Sequence, residues 1–423
     1  MKKLTKIALL LGATFGVCSA QAGSYQLNDY SVTGLGRSYA GQGIVGDDYS
    51  AIAYNPAGMT LMEKSGVQQI FNFINLRADV DGMGQHAGKH KKMNFWQPVP
   101  AGFAQYNVND RFKIGLGIYA PFGLKTQYDS GWYGADAAIL SKLDIVDFNL
   151  SAAYKIDEHW SVGASAILRY IYGRMTQRVP TMLPTGLPAP YPAYAELGGG
   201  EVNFNVHGWT QTATLGVMYE VNKNTRFGLS YRLRSAQRAK GHLKVDGNSP
   251  MSGLNGAYHV NANPDLPESL AFSAYHRYKD LGFSGTARFT HWTSSFPNFT
   301  IRSDWPGFAS TGGEKKSFYK YKNTWTLTGG VDYYYCKNLT FRFGGGWDES
   351  PAHDSSRRTI RIPDNDRWWM SVGASYMKNN WQIDVGYAHM IAKTAKALED
   401  PSVKAKYKNM QSHILGVQVQ YKF

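Results

Sequence analysis

The sequence predicts an all-β fold, an antiparallel transmembrane β-barrel of about 14 strands plugged by its own N-terminal segment. Three observations predict it. Segments of about ten residues alternate apolar and polar side chains, as a wall with lipid outside and a polar lumen inside requires. The connections between them alternate short and long. Beyond residue 22 no apolar run approaches the ~20 residues of a spanning helix, although the 423 residues include 28 Tyr, 20 Phe and 11 Trp.

Residues 1–22 read as a secretory signal peptide. Lys2, Lys3 and Lys6 precede an apolar run from Ile7 to Val17, and Ala20-Gln21-Ala22 sets cleavage before Gly23. A lipidated Cys18 is the weaker reading, because Val17 is bulky for the preceding position. Cleavage would leave Cys336 as the lone cysteine, excluding an intramolecular disulfide in the mature chain. The formal charge of +14 falls to about +11 once the three signal lysines are removed, and for an exported chain this basic excess points to anionic lipid, lipopolysaccharide or an acidic substrate rather than to nucleic acid.

Residues 23–64 form the plug. Gly23 to Met62 is rich in glycine and small polar residues, with Asn55-Pro56-Ala57 near its end. It shows no sustained apolar period of 2 or 3.6, and it is too poor in large aliphatics to fold alone. It must borrow its surroundings from residues 65–423, the barrel.

Strands are expected near 67–80, 96–108, 111–120, 146–156, 160–174, 205–221, 225–242, 266–278, 281–295, 320–335, 339–348, 366–377, 381–392 and 409–423. Short polar turns separate alternate pairs, for example Asn109-Asp110, Lys279-Asp280 and Lys337-Asn338. Both chain ends then lie on the short-turn side. The last strand shows the pattern best: Leu415, Val417, Val419, Tyr421 and Phe423 share one face, and Gly416, Gln418, Gln420 and Lys422 the other. Trp160, Trp325, Trp368 and Trp381 are expected near the short turns as an interfacial girdle.

Two long connections are apolar for a surface. Residues 129–144 place Trp132, Ala135, Ile139 and Leu143 at helical spacing. The loop from Val179 to Leu197 interleaves five prolines with Met182, Leu183, Leu187, Tyr191 and Tyr194. The two loops either pack together or form a groove for a greasy ligand. The third strand carries Gly115, Gly117 and Pro121. Glycines with a proline that withholds a ladder hydrogen bond mark a bulge, a gap in the wall or close packing of the plug.

Strand alternation sends Arg169, Arg232, Arg234, Arg288 and Arg342 to the lumen, since an arginine facing lipid at mid-bilayer costs about 2–4 kcal/mol. Such guanidinium groups can hold a carboxylate, or they can pair with Asp47, Asp48, Glu220, Asp348 and Asp384. His86 and His90 lack the ligand company of a metal site, and no cofactor is expected. Gly34-Leu35-Gly36 has no βαβ context. Arg238, Lys240 and His242 suit lipopolysaccharide phosphates.

Several blocks in order resemble the FadL family of outer-membrane long-chain fatty-acid and hydrocarbon transporters, including its TodX relatives. They are QLNDYSVTGLGRSYAGQG through NPA, IYAPFGLKT, MYEVNKNTRFGLSYR, LPESLAFSAYHRY and TFRFGGGWDESP followed by IPDNDRWWMSVGASY. The resemblance spans essentially the whole mature chain. It implies a fourteen-stranded barrel in the cell outer membrane of a Gram-negative bacterium, closed by an N-terminal hatch. It also implies an external groove between the apolar loops, a deeper pocket and sideways exit at a kinked third strand. By the same resemblance Asn55, Pro56 and Ala57 match the hatch motif, Tyr25 and Leu27 fall beside the pocket, and Asp348 is a lumenal acid. The expected activity is uptake of a long-chain fatty acid or similar hydrophobic ligand by a monomeric barrel. The alternatives are an aromatic hydrocarbon channel and a lipid-acting barrel enzyme.

Overall fold

The computed structural model describes residues 26–179, 182–184, 194–196, 200–247, 255–294, 299–306, 312–317, 319–400 and 402–423. Among them fourteen strands close a ring. They are β1 (Gly66–Met83), β2 (His90–Asn107), β3 (Phe112–Gln127), β4 (Leu140–Lys155), β5 (Trp160–Arg178), β6 (Gly200–Asn222) and β7 (Thr225–Arg232). Then follow β8 (Glu268–Tyr278), β9 (Leu281–His291), β10 (Thr324–Cys336), β11 (Leu339–Asp348), β12 (Arg367–Lys378), β13 (Trp381–Ala392) and β14 (Lys404–Lys422). Each pairs antiparallel with its neighbours, and β14 closes on β1 from Gly66↔Lys422 to Met83↔Lys404. Closure leaves no free sheet edge around most of the circumference.

The pleat sorts the side chains. On β14, Leu415 and Val417 are exposed outside while Gln418 and Gln420 are fully buried inside. The outward set elsewhere is lipid-compatible, including Phe71, Phe73, Leu150, Leu168, Leu229 and Phe272. Trp160 and Trp381 begin strands that leave short turns. Trp325 and Trp368 begin strands that descend from long loops, so they mark the opposite rim. The four tryptophans therefore divide between two girdles rather than lining one.

Other departures have local causes. The strand expected over 225–242 breaks after Arg232, where Ser235 turns aside to bond Leu266. A new strand, Ala239–Gly247, then takes up the upper half of β6 from Lys240↔His207 to Gly247↔Gly200. The break carries Arg234 out of the wall, and its exposed guanidinium bonds the carbonyl of Ser294. Residues 129–138 form successive turns around Gly131 and Gly134 instead of a helix. Extension of β4 down to Leu140 takes Leu143 into the wall.

Residues 26–65 run inside the ring toward its short-turn end, almost wholly buried. Above them, toward the long loops, the lumen is apolar. Phe122, Ile145, Ile171, Phe204, Val206, Leu243 and Trp292 are buried together there.

Candidate functional site

The inner segment is held by capping, notches and charge. Ser31 caps the short helix Val32–Gly36, with Oγ accepting from the Gly34 amide. Asn55 caps the 3-10 turn Pro56–Leu61 through the Ala57 amide. The Asn55 amide nitrogen also donates to the carbonyls of Val217 at 3.2 Å and Leu229 at 3.5 Å, on β6 and β7. The wall makes room with glycine. A Cβ at Gly216 would come 2.0 Å from Asn55 Oδ1, and one at Gly163 would come 2.5 Å from the Ala57 nitrogen. The helix seats likewise, with Gly36 against Gly373 of β12. Gly115 and Gly117 leave space for Ile52 in the regularly paired part of β3.

Arg37 bonds both oxygens of Asp47 at 2.6 and 2.9 Å and approaches Asp332 of β10 at 3.3 Å. Arg342 of β11 reaches the same Asp47 at 3.2 Å and Asp332 at 3.1 Å. Asp48 accepts from the hydroxyls of Ser31, Thr33 and Ser50, tying the helix to the turn that follows.

The wall itself is interrupted beside this segment. β2 pairs with β1 from His90 to Gln105, but with β3 only from Gly102↔Ile118 to Asn107↔Lys113. Above Ile118 the two strands part, and β3 shifts register against β4 between Tyr119 and Phe122. Proline explains the parting. Pro121 withholds an amide on β3, and period-2 geometry puts the missing amides of Pro98 and Pro100 on one edge of β2. The uninterrupted ladder to β1 leaves the gap-facing edge as the one without donors.

The inner segment fills part of the opening. Gln26 bridges Phe122 on the edge of β3 away from β4, and the Leu27 amide donates to Pro121 O at 2.8 Å. The Leu27 side chain is fully buried among Ile74, Val99, Ala120 and Ile414. Higher up, Lys125 Nζ stands 5.1 Å from the centre of the Phe95 ring, a cation–π contact that bounds the gap on the long-loop side.

Two cavities flank this window. One is lined by Leu76, Met93, Phe95, Lys125, Met390 and Met410. The other is bounded by Leu124, Leu143, Ile171, Met175, Phe204 and Arg361. Arg361 comes from the loop between β11 and β12. It donates to Ala137 O at 2.5 Å, Gln177 Oε1 at 2.7 Å, Ser141 Oγ at 2.9 Å and Leu140 O at 3.4 Å. All four acceptors are neutral. Burial pulls the Arg361 guanidinium below its usual pKa range, with only partial compensation from charges farther off. An apolar chamber beside a half-buried cation that has no ion-pair partner among the described residues is suited to an amphiphilic anion.

The lumenal arginines fall into different company. Arg169 is bidentate with Asp147 at 2.6 and 2.8 Å, with its guanidinium over the Phe122 ring. Arg288 bonds Asn28 and Gln42 of the inner segment, both at 2.5 Å. Asp348 accepts from Thr326 and pairs with Arg367 at 2.7 Å. Trp132 is buried against Tyr128, with ring centres 3.9 Å apart, and Ile139 packs on the same cluster. Leu143 faces the chamber instead. Leu183 lies in a short strand pairing with Ala195, while Tyr25 and Leu187 lie outside the described residues. Sequence reading missed Arg361, Pro98 and Pro100. The Gln97-Pro98-Val99-Pro100 run was a usable signal for an unpaired edge. The position of Arg361 depends on a loop folding back over the lumen, which strand periodicity does not report.

Residues 13–423 match a family described as outer membrane protein transport protein (OMPP1/FadL/TodX). The chain is 29% identical to a long-chain fatty acid transport protein of Escherichia coli O6:H1, covering 95% of this chain and 94% of that one. It is 28% identical to outer membrane protein P1 of Haemophilus influenzae, covering 93% and 91%. Among solved structures, a Pseudomonas aeruginosa FadL homologue superposes with a TM-score of 0.82 at 23% identity, over 95% of this chain and 100% of that one. The Pseudomonas putida toluene transporter TodX gives 0.72 at 15% identity, over 95% and 100%.

Proposed function

From the premise that this chain belongs to the OMPP1/FadL/TodX family of outer membrane transport proteins, we propose that it takes up long-chain fatty acids. It is a transporter, not an enzyme. The observation that carries the choice of substrate is Arg361, a half-buried guanidinium whose acceptors among the described residues are all neutral, beside an apolar chamber.

The physics favours a relay of apolar sites over an open pore. Each buried methylene gains about 0.8 kcal/mol, so a sixteen-carbon tail prefers such a chamber to water by roughly 10 kcal/mol. The tail enters among Leu124, Leu143, Ile171, Met175 and Phe204, and its carboxylate meets Arg361. Residues 23–64 act as the hatch. Leu27 leaves Pro121, and the tail passes sideways between β2 and β3 into the bilayer. Ligand drives this step only by binding the displaced hatch better than the seated one.

Binding of labelled oleate, methyl oleate and toluene to the purified protein tests the reading. Saturable oleate binding at least tenfold tighter than that of methyl oleate is the expected result. Equal affinity for acid and ester, or a preference for toluene, would replace it with a neutral-hydrocarbon carrier.

A further inference from the structure

We infer that the outer face of β4 to β6 and the strands beside them carries a docking site for the phosphorylated headgroup of lipopolysaccharide. Alternation identifies the face. Ile171, Phe204, Val206, Leu243, Val245 and Val260 are buried in the lumen, so the residues between them point outward.

The outward residues form cross-strand rungs. The lowest pairs Tyr170 with Trp209, with ring centres 4.9 Å apart, and Phe148 packs against Trp209 at 5.9 Å. Such a cluster marks the hydrocarbon boundary. The next rung runs Tyr172↔His207 and His207↔Lys240. The one above runs Lys142↔Arg174, Arg174↔Asn205, Asn205↔His242 and His242↔His259. These rungs stand about 7 and 13 Å along the strand above the aromatic pair, at the level where phosphates meet a membrane protein.

The basic side chains on the band are available. Arg174, His207, Lys240 and His242 are exposed, and no carboxylate of the described residues lies within ion-pair distance of any of them. Lys142 is instead paired with Asp144 at 2.7 Å. Elsewhere around the same rim β10 and β12 present Trp325, Leu327, Trp368 and Met370. The cationic band thus differs from the apolar rim of β10 and β12 and is continuous with the lipid-facing wall. Two guanidinium or ammonium groups flanked by imidazole N–H donors suit the phosphates of lipid A, which sit in the outer leaflet directly above the acyl chains.

The test titrates the full-length protein in detergent with fluorescent diphosphoryl lipid A, with its dephosphorylated form and with phosphatidylglycerol. Arg174→Ala with Lys240→Ala should weaken diphosphoryl lipid A binding about 30-fold, roughly fivefold per cation. Arg174→Lys with Lys240→Arg should retain it, and Lys378→Ala at a short turn should leave it unchanged. The unboiled electrophoretic mobility of each variant establishes that its barrel is folded. Unchanged affinity in the folded double alanine variant, or equal binding of dephosphorylated lipid A, would overturn the inference. So would equal binding of phosphatidylglycerol, which would reduce the band to a nonspecific attraction for anions. Fatty-acid binding by the same variants should be unaltered, which separates this site from the transport chamber.

Discussion

Gly216→Ala probes how the inner segment is locked to the wall. The added methyl would come 2.0 Å from Asn55 Oδ1, well inside the ~3.5–4.0 Å of ordinary contact. The Pro56 ring stands 3.0 Å from the same methyl position, so the Asn55 side chain must leave. It forfeits the cap on Ala57 at 3.1 Å and the bonds to Val217 and Leu229. Overpacking plus these modest hydrogen bonds amounts to about 2–4 kcal/mol. Opening of residues 51–61 should then accelerate roughly 30- to 700-fold. Amide exchange read by mass spectrometry on peptides from that region measures it directly, with peptides from β12 to β14 as the internal control. Exchange at wild-type rates in the variant would refute the claim that the Asn55 notch holds the segment.

Two further perturbations address charge. Arg361→Gln keeps some polar contact with its four acceptors but removes the cation, so oleate affinity should fall about 10- to 100-fold while methyl oleate affinity stays unchanged; a parallel loss for both ligands in calorimetry would assign Arg361 to structure alone. Burial pushes Asp29 up to about 6, opposed by the hydrogen bond from Tyr39 and by Arg367. A raised carboxyl pKa makes the seated segment most stable below the unfolded value near 3.8, and stability is lost as pH rises toward 6. The loss is on the order of 3 kcal/mol. Asp29→Asn should abolish this part of the pH dependence of exchange across residues 26–40; an identical pH profile in the variant would contradict it.

Much of the architecture was legible because a barrel wall imposes a period of two on every strand. The exposed Leu415 and buried Gln418 follow from that period alone. What depended on nonlocal pairing was less visible. The interruption after Arg232 arises from Ser235 meeting Leu266, far along the chain, and nothing in the local pattern announces it. Helical spacing in residues 129–144 misled because strand pairing takes Leu140 to Leu143 into β4 and glycines turn the rest. The site was legible in part: Pro121 marked the place where β3 bends, but the glycines beside it serve the packing of Ile52. The lumenal arginines were readable as a set, yet their pairing with Asp147, Asp47 and Asp332 needed three-dimensional neighbours.

The claim on which transport rests is that the ligand crosses the wall where β2 and β3 part. Pro100→Cys and Ala120→Cys, in a Cys336→Ser background, place thiols on opposite sides of the opening, one rung above the last paired residues Gly102 and Ile118. Treating cells that express this variant with a reducible bis-methanethiosulfonate cross-linker should bring uptake of labelled oleate to background, and reduction should restore it, with both single-cysteine variants active throughout. Import at the wild-type rate through protein shown to be fully cross-linked would contradict passage between these strands.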